Sequence, residues 1–275
     1  MHKVIICFIF LLFLSLSGPM GGKEDKVEFV KTVLAEDESQ WLYEQMNLEE
    51  LVQFDAFKSA YTGYKKLNKD NNPLLTLIDF SLPSTEKRMY VLDIAQKEIL
   101  FVSYVSHGRN SGENYATSFS NRDGSHQSSL GFYRTVGTYN GGNGYSLRLD
   151  GLEKGINDKA MQRAIVIHGA DYCSENVIRS TGRLGRSFGC PALPRELNKP
   201  IIDTIKGGSL LFIYADQPEY LANSEVLKEE QILTKENILS GSAYCCVRSI
   251  YFPSSGFALL STLHCWPGIP ADRRK

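Results

Sequence analysis

The chain has 275 residues, 43% of them apolar and 22% charged, with a formal net charge of −1. That is ordinary globular composition, with enough apolar material for one good core and a length that suits one or two domains. Without a basic excess, nucleic acid and an anionic membrane surface are excluded as partners, and an anionic ligand would have to be held by a few local arginines.

Lys3 lies near the start of the chain, and Val4 to Leu16 is then apolar except for Ser15. As a helix this run spans only about 20 Å, short of a hydrocarbon core of about 30 Å. Ser15 and Ser17 put small residues where a signal peptidase reads, so residues 1–17 read as a secretory signal. The alternative is an N-terminal anchor. No second long apolar run follows, so the mature chain is expected to be exported, to the periplasm or cell envelope, with no stable membrane insertion after cleavage. Loss of the signal removes Cys7 and leaves Cys173, Cys190, Cys245, Cys246 and Cys265. An odd number outside the cytoplasm leaves one thiol without an intramolecular partner.

Residues 23–72 read as a helical N-terminal segment. Asn47 and Glu50 resemble a capping box, and Leu51, Phe54, Phe57, Ala60, Tyr61 and Tyr64 form an apolar face. Asn71-Asn72-Pro73 ends it. Short β-like runs follow at Leu74–Phe80, Met89–Ile94, Ile99–Val105, Phe132–Val136, Tyr145–Leu149, Ala164–His168 and Leu210–Tyr214. Turn residues separate them, notably Asn140 to Gly144 with three glycines. One helix is expected between Arg195 and Ile205, stopped by Gly207-Gly208. The pattern predicts a mainly β domain, a sandwich or barrel with a few helices, over 73–220. Residues 221–275 form a tail that shows no core-like period.

The chemistry-bearing pattern lies between His168 and Pro194. His168 ends the apolar run 164–168, and Cys190 follows a loop rich in glycine and arginine. A free thiol is only a few per cent thiolate at neutral pH, and a nearby histidine can accept its proton. Gly189 allows close approach of backbone to substrate, so the N–H groups of Gly189 and Cys190 could form an oxyanion hole. A Cys/His pair alone remains compatible with two structural residues.

Eighteen residues separate His168 from Ser187-Phe188-Gly189-Cys190. This spacing resembles the signature of the L,D-transpeptidase (YkuD-like) family. Ile78 to Ser81, His107 to Gly112, Ser128 to Tyr133 and Gly185 to Leu193 resemble its murein L,D-transpeptidase catalytic-domain branch. The resemblance covers about residues 40 to 220 and ends near Asp216, so removal of the chain beyond that point should leave activity unchanged. It implies a mostly β catalytic domain and acyl transfer on peptidoglycan stem peptides. The family's cysteine attacks the bond between the L-centre of diaminopimelate and D-alanine, and the acyl group passes to a neighbouring amine or to water. By the same resemblance Cys190 is the nucleophile, His168 the base, Ser187 the Ser/Thr position, Gly189 the oxyanion-turn glycine and Gly169 the carbonyl that orients His168. Phe188 and Pro191-Ala192 depart from the family, which often has His before Gly-Cys and an Arg or Asn after it. Arg183 and Arg186 are therefore expected to hold a stem carboxylate instead.

His107 is open to two readings, a substrate-groove residue or a loop-fixing histidine. His126 is expected in an exposed loop, and Tyr115, Tyr133 and Tyr139 in packing. A zinc site from His168, Cys173 and Cys190 matches no common spacing, so no metal and no cofactor is expected. The competing functions are L,D-transpeptidation, hydrolysis of the same bonds by a carboxypeptidase or endopeptidase, and a catalytically inactive peptidoglycan-binding module.

Overall fold

The structure is a computed structural model and describes residues 38–228. The expected signal, residues 23–37, the chain beyond 228, and Cys7, Cys245, Cys246 and Cys265 lie outside the described residues.

The N-terminal segment is not one helical run. Residues 38–45 are helical, and then the chain turns. Asn47 takes a left-handed φ of 52°, a conformation Asn tolerates at the end of a helix, so it closes one helix rather than capping the next. The following helix, α1 (Phe54–Leu67), starts at Gln53. Leu51, expected on the apolar face, is 46% exposed in the intervening turn, while Phe57 and Ala60 are fully buried.

Eight strands follow: β1 (Leu74–Asp79), β2 (Met89–Asp93), β3 (Glu98–Ser103), β4 (Gly131–Gly141), β5 (Gly144–Gly151), β6 (Val166–Gly169), β7 (Ala192–Leu193) and β8 (Leu210–Tyr214). They form one sheet in the order β3-β2-β1-β8-β4-β5-β6-β7. The runs at 74, 89, 99 and 210 fall where their alternation and β-branched content put them. The run at 132 extends through Gly141, because Gly144, at φ 77°, supplies the left-handed residue that closes a tight hairpin onto β5.

Two pairings bring the ends of the sheet together. Ser106, just past β3, pairs with Ala192 of β7, and Gly108 pairs with Ser187. The sheet thereby curls toward a barrel, and the segment that carries Cys190 is drawn against the chain that leaves β3.

The core sits under α1 and around the central strands. β8 is buried throughout, and Phe132 stacks on Phe212 with ring centroids 4.1 Å apart. Burial of one such ring stabilises by about 2–3 kcal/mol. The close approach of α1 here depends on Gly63: a methyl added there would meet Phe132 Cζ at 2.0 Å. On the other side of the site, α3 (Arg195–Ile205) packs on β5 and β6 and buries Ile201, Ile202 and Ile205.

Three elements have no counterpart in the sequence expectations. Helix α2 (Glu175–Thr181) buries no side chain, so it carries no apolar stripe to read. Strand β7 has two residues. Helix α4 (Pro218–Asn223) extends the packed unit past the expected boundary. Tyr220 and Ser224 are buried, and both donate to the buried carboxylate of Glu153. The residues just beyond Asp216 are thus bound into the core, which the expectation that the chain is dispensable past that point did not include.

Candidate active site

β6 and β7 place the two residues on which the sequence reading rests. They run parallel, with His168 opposite Ala192 and Gly169 opposite Leu193. Cys190 precedes Ala192 by two residues and lies beside the chain that enters β6. Its Sγ is 3.7 Å from the carbonyl oxygen of Ala164, to which the thiol donates, and the N–H of Val166 faces it from the same segment. The imidazole is fixed by its own neighbour: His168 Nδ1 is 3.1 Å from the carbonyl oxygen of Gly169. With Nδ1–H donated there, Nε2 is left as the acceptor.

Burial sets the protonation of both groups. It pushes the Cys190 thiol up from its ordinary value, against the pull of the Val166 N–H and the Arg163 charge. It also pushes His168 down, and the Arg195 charge adds to that while the Gly169 carbonyl opposes it. Both directions favour a neutral thiol and a neutral imidazole over a thiolate and an imidazolium.

The turn before Cys190 is held by its own side chains. Ser187 Oγ accepts from Gly189 N–H at 3.0 Å and donates to the Cys190 carbonyl at 2.6 Å. The N–H of Gly189, expected in an oxyanion hole, is thus already bonded, which leaves that of Cys190 for the task. Gly189 sits at φ 121°, and a methyl there would stand 2.8 Å from the Gln127 carbonyl oxygen, so only glycine fits.

Arg183 and Arg186 do not stand free. Arg183 Nε is 2.9 Å from Glu113 Oε2, and Arg186 Nη1 is 2.7 Å from Glu113 Oε1. Two partly buried guanidinium groups thus share one exposed carboxylate. His107 is 1% exposed, with Nδ1 accepting from Arg88 at 2.8 Å and Nε2 3.3 Å from the Gly112 carbonyl oxygen. Both ring nitrogens are bonded inside the protein, as a loop-fixing histidine requires. His126, at φ 54°, packs on Phe188, whose ring is 64% exposed two residues before Cys190. Tyr115 is 53% exposed and Tyr133 fully buried.

The two thiols among the described residues differ sharply. Cys173 is fully buried and burial pushes it up to about 12, which makes it inert; Cys190 is partly exposed. No group of three or more His, Cys, Asp or Glu among the described residues could hold a metal ion. Two cavities, of about 460 and 770 Å³, lie against Phe80 and Tyr115 and against Leu51 and Tyr90, and neither is lined by Cys190 or His168. His168 stands on β6 and Cys190 in the turn just before β7.

Sequence reasoning missed Arg163 and Ala164. Ala164 reads as the first residue of a strand, yet it takes a left-handed φ of 53° and turns its carbonyl toward the thiol. Arg163 precedes it and belongs to no motif. Its guanidinium donates to four oxygens of the 120–129 loop.

Among curated proteins none matches the chain. Solved structures with similarity include an L,D-transpeptidase from Mycobacterium smegmatis, 13% identical over 52% of this chain and 59% of that one, with a TM-score of 0.34. The cell-shape-determining protein Pgp2 of Campylobacter jejuni is 16% identical over 58% and 55%, with a TM-score of 0.37. L,D-transpeptidase 1 of Mycobacterium tuberculosis is 13% identical over 52% and 61%, with a TM-score of 0.29. The chain spans less than two thirds of each. The family model for the L,D-transpeptidase catalytic domain matches residues 48–214, more than half of the chain and the whole of the sheet. The chain belongs to the L,D-transpeptidase catalytic-domain family.

Proposed function

We propose that the protein catalyses cysteine-dependent acyl transfer on peptidoglycan stem peptides, with Cys190 as nucleophile and His168 as base. The observation that carries this reading is the pairing of β6 with β7, which sets an oriented imidazole beside the turn that holds the partly exposed thiol. Because both groups rest neutral, the thiol proton leaves as the bond forms. His168 Nε2 takes that proton, and sulfur attacks the peptide carbonyl carbon. The negative charge moves to the carbonyl oxygen, within reach of the Cys190 N–H. As the carbonyl re-forms, the C–N bond breaks and the imidazolium returns its proton to the departing D-amino acid. A thioester remains on Cys190. An amine of a second stem, deprotonated by His168, then displaces the thiolate and forms the cross-link; water in its place gives the hydrolase reaction.

Arg183 and Arg186 provide a site of the right charge for a stem carboxylate, which would take the place of Glu113 between them. The reading puts the protein at the cell envelope, consistent with residues 1–17 as a signal. No described helix is long and apolar enough to cross a membrane.

The test is incubation with purified tetrapeptide muropeptides followed by mass spectrometry. Loss of D-alanine with dimers identifies a transpeptidase, and loss without dimers a carboxypeptidase. No acyl-enzyme and no loss, with Cys190 unreactive to thiol reagents, leaves a binding module. Cys190→Ala should abolish acyl-enzyme formation, and full turnover by it would overturn the reading. His168→Ala should slow acylation at neutral pH by about 10²–10⁴-fold, and alkaline pH should restore part of it, since the thiol then ionises unaided.

A further inference from the structure

Arg163 lies on the segment that enters β6, directly before Ala164. Nη1 donates to the Ser120 carbonyl at 2.8 Å and to Ser129 Oγ at 2.6 Å. Nη2 donates to the Gln127 carbonyl at 2.7 Å and to Ser125 Oγ at 3.3 Å. All four acceptors are neutral oxygens, so none cancels the charge. The same guanidinium lies against the nucleophile turn: a methyl added at Gly189 would stand 3.4 Å from Arg163 Nη2 and 2.8 Å from the Gln127 oxygen that Nη2 binds. A third link comes from Ser128, whose Oγ donates to the Gly189 carbonyl at 3.1 Å.

We infer that Arg163 is a positioning residue for Cys190: it clamps the 120–129 loop against the Gly189–Cys190 turn and holds a fixed, un-neutralised positive charge beside the sulfur. The inference rests on Cys190 as the nucleophile, as proposed above. The clamp explains why the turn tolerates no side chain at Gly189. It also explains why Ala164 accepts a left-handed backbone, since that conformation lets Arg163 face the loop while the next carbonyl faces the thiol. The charge acts when sulfur ionises. A neutral thiol gains nothing from it, whereas a thiolate, and the sulfur as it loses its proton to His168, is stabilised.

Few other groups compete for this role. The charged or titratable groups that face Cys190 are Arg163 before β6 and Tyr172 in the loop after it, and His168 stands on β6 in register with Ala192. Those that face Arg163 are Cys190, Tyr133 of β4 and Asp123 of the clamped loop; Tyr133 is a buried phenol and Asp123 an exposed carboxylate. Arg195, which faces His168, is paired with Asp171. Arg183 and Arg186 are paired with Glu113. Arg163 alone among these cations faces the sulfur.

The experiment is the pH profile of Cys190 alkylation by iodoacetamide in the full-length protein, with the modified peptide identified by mass spectrometry so that the other cysteines do not contribute. Arg163→Gln should slow alkylation about tenfold at neutral pH and move the profile to higher pH. Arg163→Lys, which keeps the charge and gives up part of the clamp, should retain the wild-type profile. Ser129→Ala loosens the loop without removing charge and serves as the structural control. Wild-type alkylation by folded Arg163→Gln would overturn the inference. So would a shift in Ser129→Ala or Arg163→Lys equal to that in Arg163→Gln. Should Arg163→Gln not fold, the Lys variant decides alone: an unmoved profile supports the charge role and a shift to higher pH refutes it. Alkylation reads the thiol whatever its task, so retained turnover by Cys190→Ala would separately overturn the underlying reading.

Discussion

Gly189 carries the sharpest constraint at the scale of single residues. It combines a φ of 121° with a carbonyl 2.8 Å from where a methyl would stand. Gly189→Ala should therefore cost about 2 kcal/mol or more, from backbone strain together with displacement of Gln127. Urea denaturation of the variant measures that cost, and stability equal to wild type would refute it. Ser187 beside it braces the turn from within by bonding both the Gly189 N–H and the Cys190 carbonyl. Ser187→Ala should leave the fold intact and lower kcat for the peptide about tenfold while changing KM little, because it loosens the nucleophile and not the substrate. Steady-state kinetics on a soluble tetrapeptide checks this.

Among the elements, α4 shows how a stretch with no motif becomes part of the core. Glu153 is almost fully buried. It accepts from the Phe132 N–H at 2.8 Å, from Tyr220 at 3.0 Å and from Ser224. A buried carboxylate is tolerated only with such partners. Truncation after Asp216 removes two of the three and exposes Phe212, on which Tyr220 packs. The expected loss is about 3–5 kcal/mol, enough to unfold a marginal domain. A chain ended after Lys228 should keep the stability that α4 contributes. Thermal melts of both truncations test this: equal melting temperatures would show that α4 is dispensable. The hairpin of β4 and β5 makes the opposite point, since its Gly144 is readable from sequence and does what turn chemistry demands.

For the whole molecule, closure of the sheet depends on the chain that leaves β3, and that chain is locked by His107 on the buried Arg88. Burial, with the Arg88 and Arg186 charges, pushes His107 down to about 3. An unfolded histidine titrates near 6.5, so the unfolded state takes up the proton first as pH falls. The stabilisation is complete above about pH 6.5 and is lost progressively from there down to about 3, on the order of 5 kcal/mol in all. Asp79 acts in the reverse sense: burial pushes its carboxyl up, so its contribution favours the folded state at acid pH and fades as pH rises. The urea midpoint should fall between about pH 6.5 and 4.5, and His107→Asn should be less stable at pH 7 with a flatter dependence. An equally steep dependence in that variant would rule His107 out as the source.

Sequence alone determined the elements whose chemistry is local. Alternating and β-branched runs fixed most strands, Gly207-Gly208 fixed the end of α3, and Gly144 fixed the hairpin. The spacing from His168 to Cys190, with its Ser-x-Gly-Cys turn, carried the family. What sequence left open is what long-range packing settles. Helix α2 has no buried side chain to leave a period, β7 is too short to leave one, and α4 is defined by partners more than sixty residues away. Arg163 reads as any surface arginine until folding brings four oxygens of one loop around it. Arg183 and Arg186 read as free cations until Glu113 arrives between them. Likewise the Gly189 N–H reads as available until Ser187 folds back on it. Residue type and spacing supply the reactive groups. Which donors and charges remain free depends on neighbours distant along the chain, and only the tertiary structure sets those.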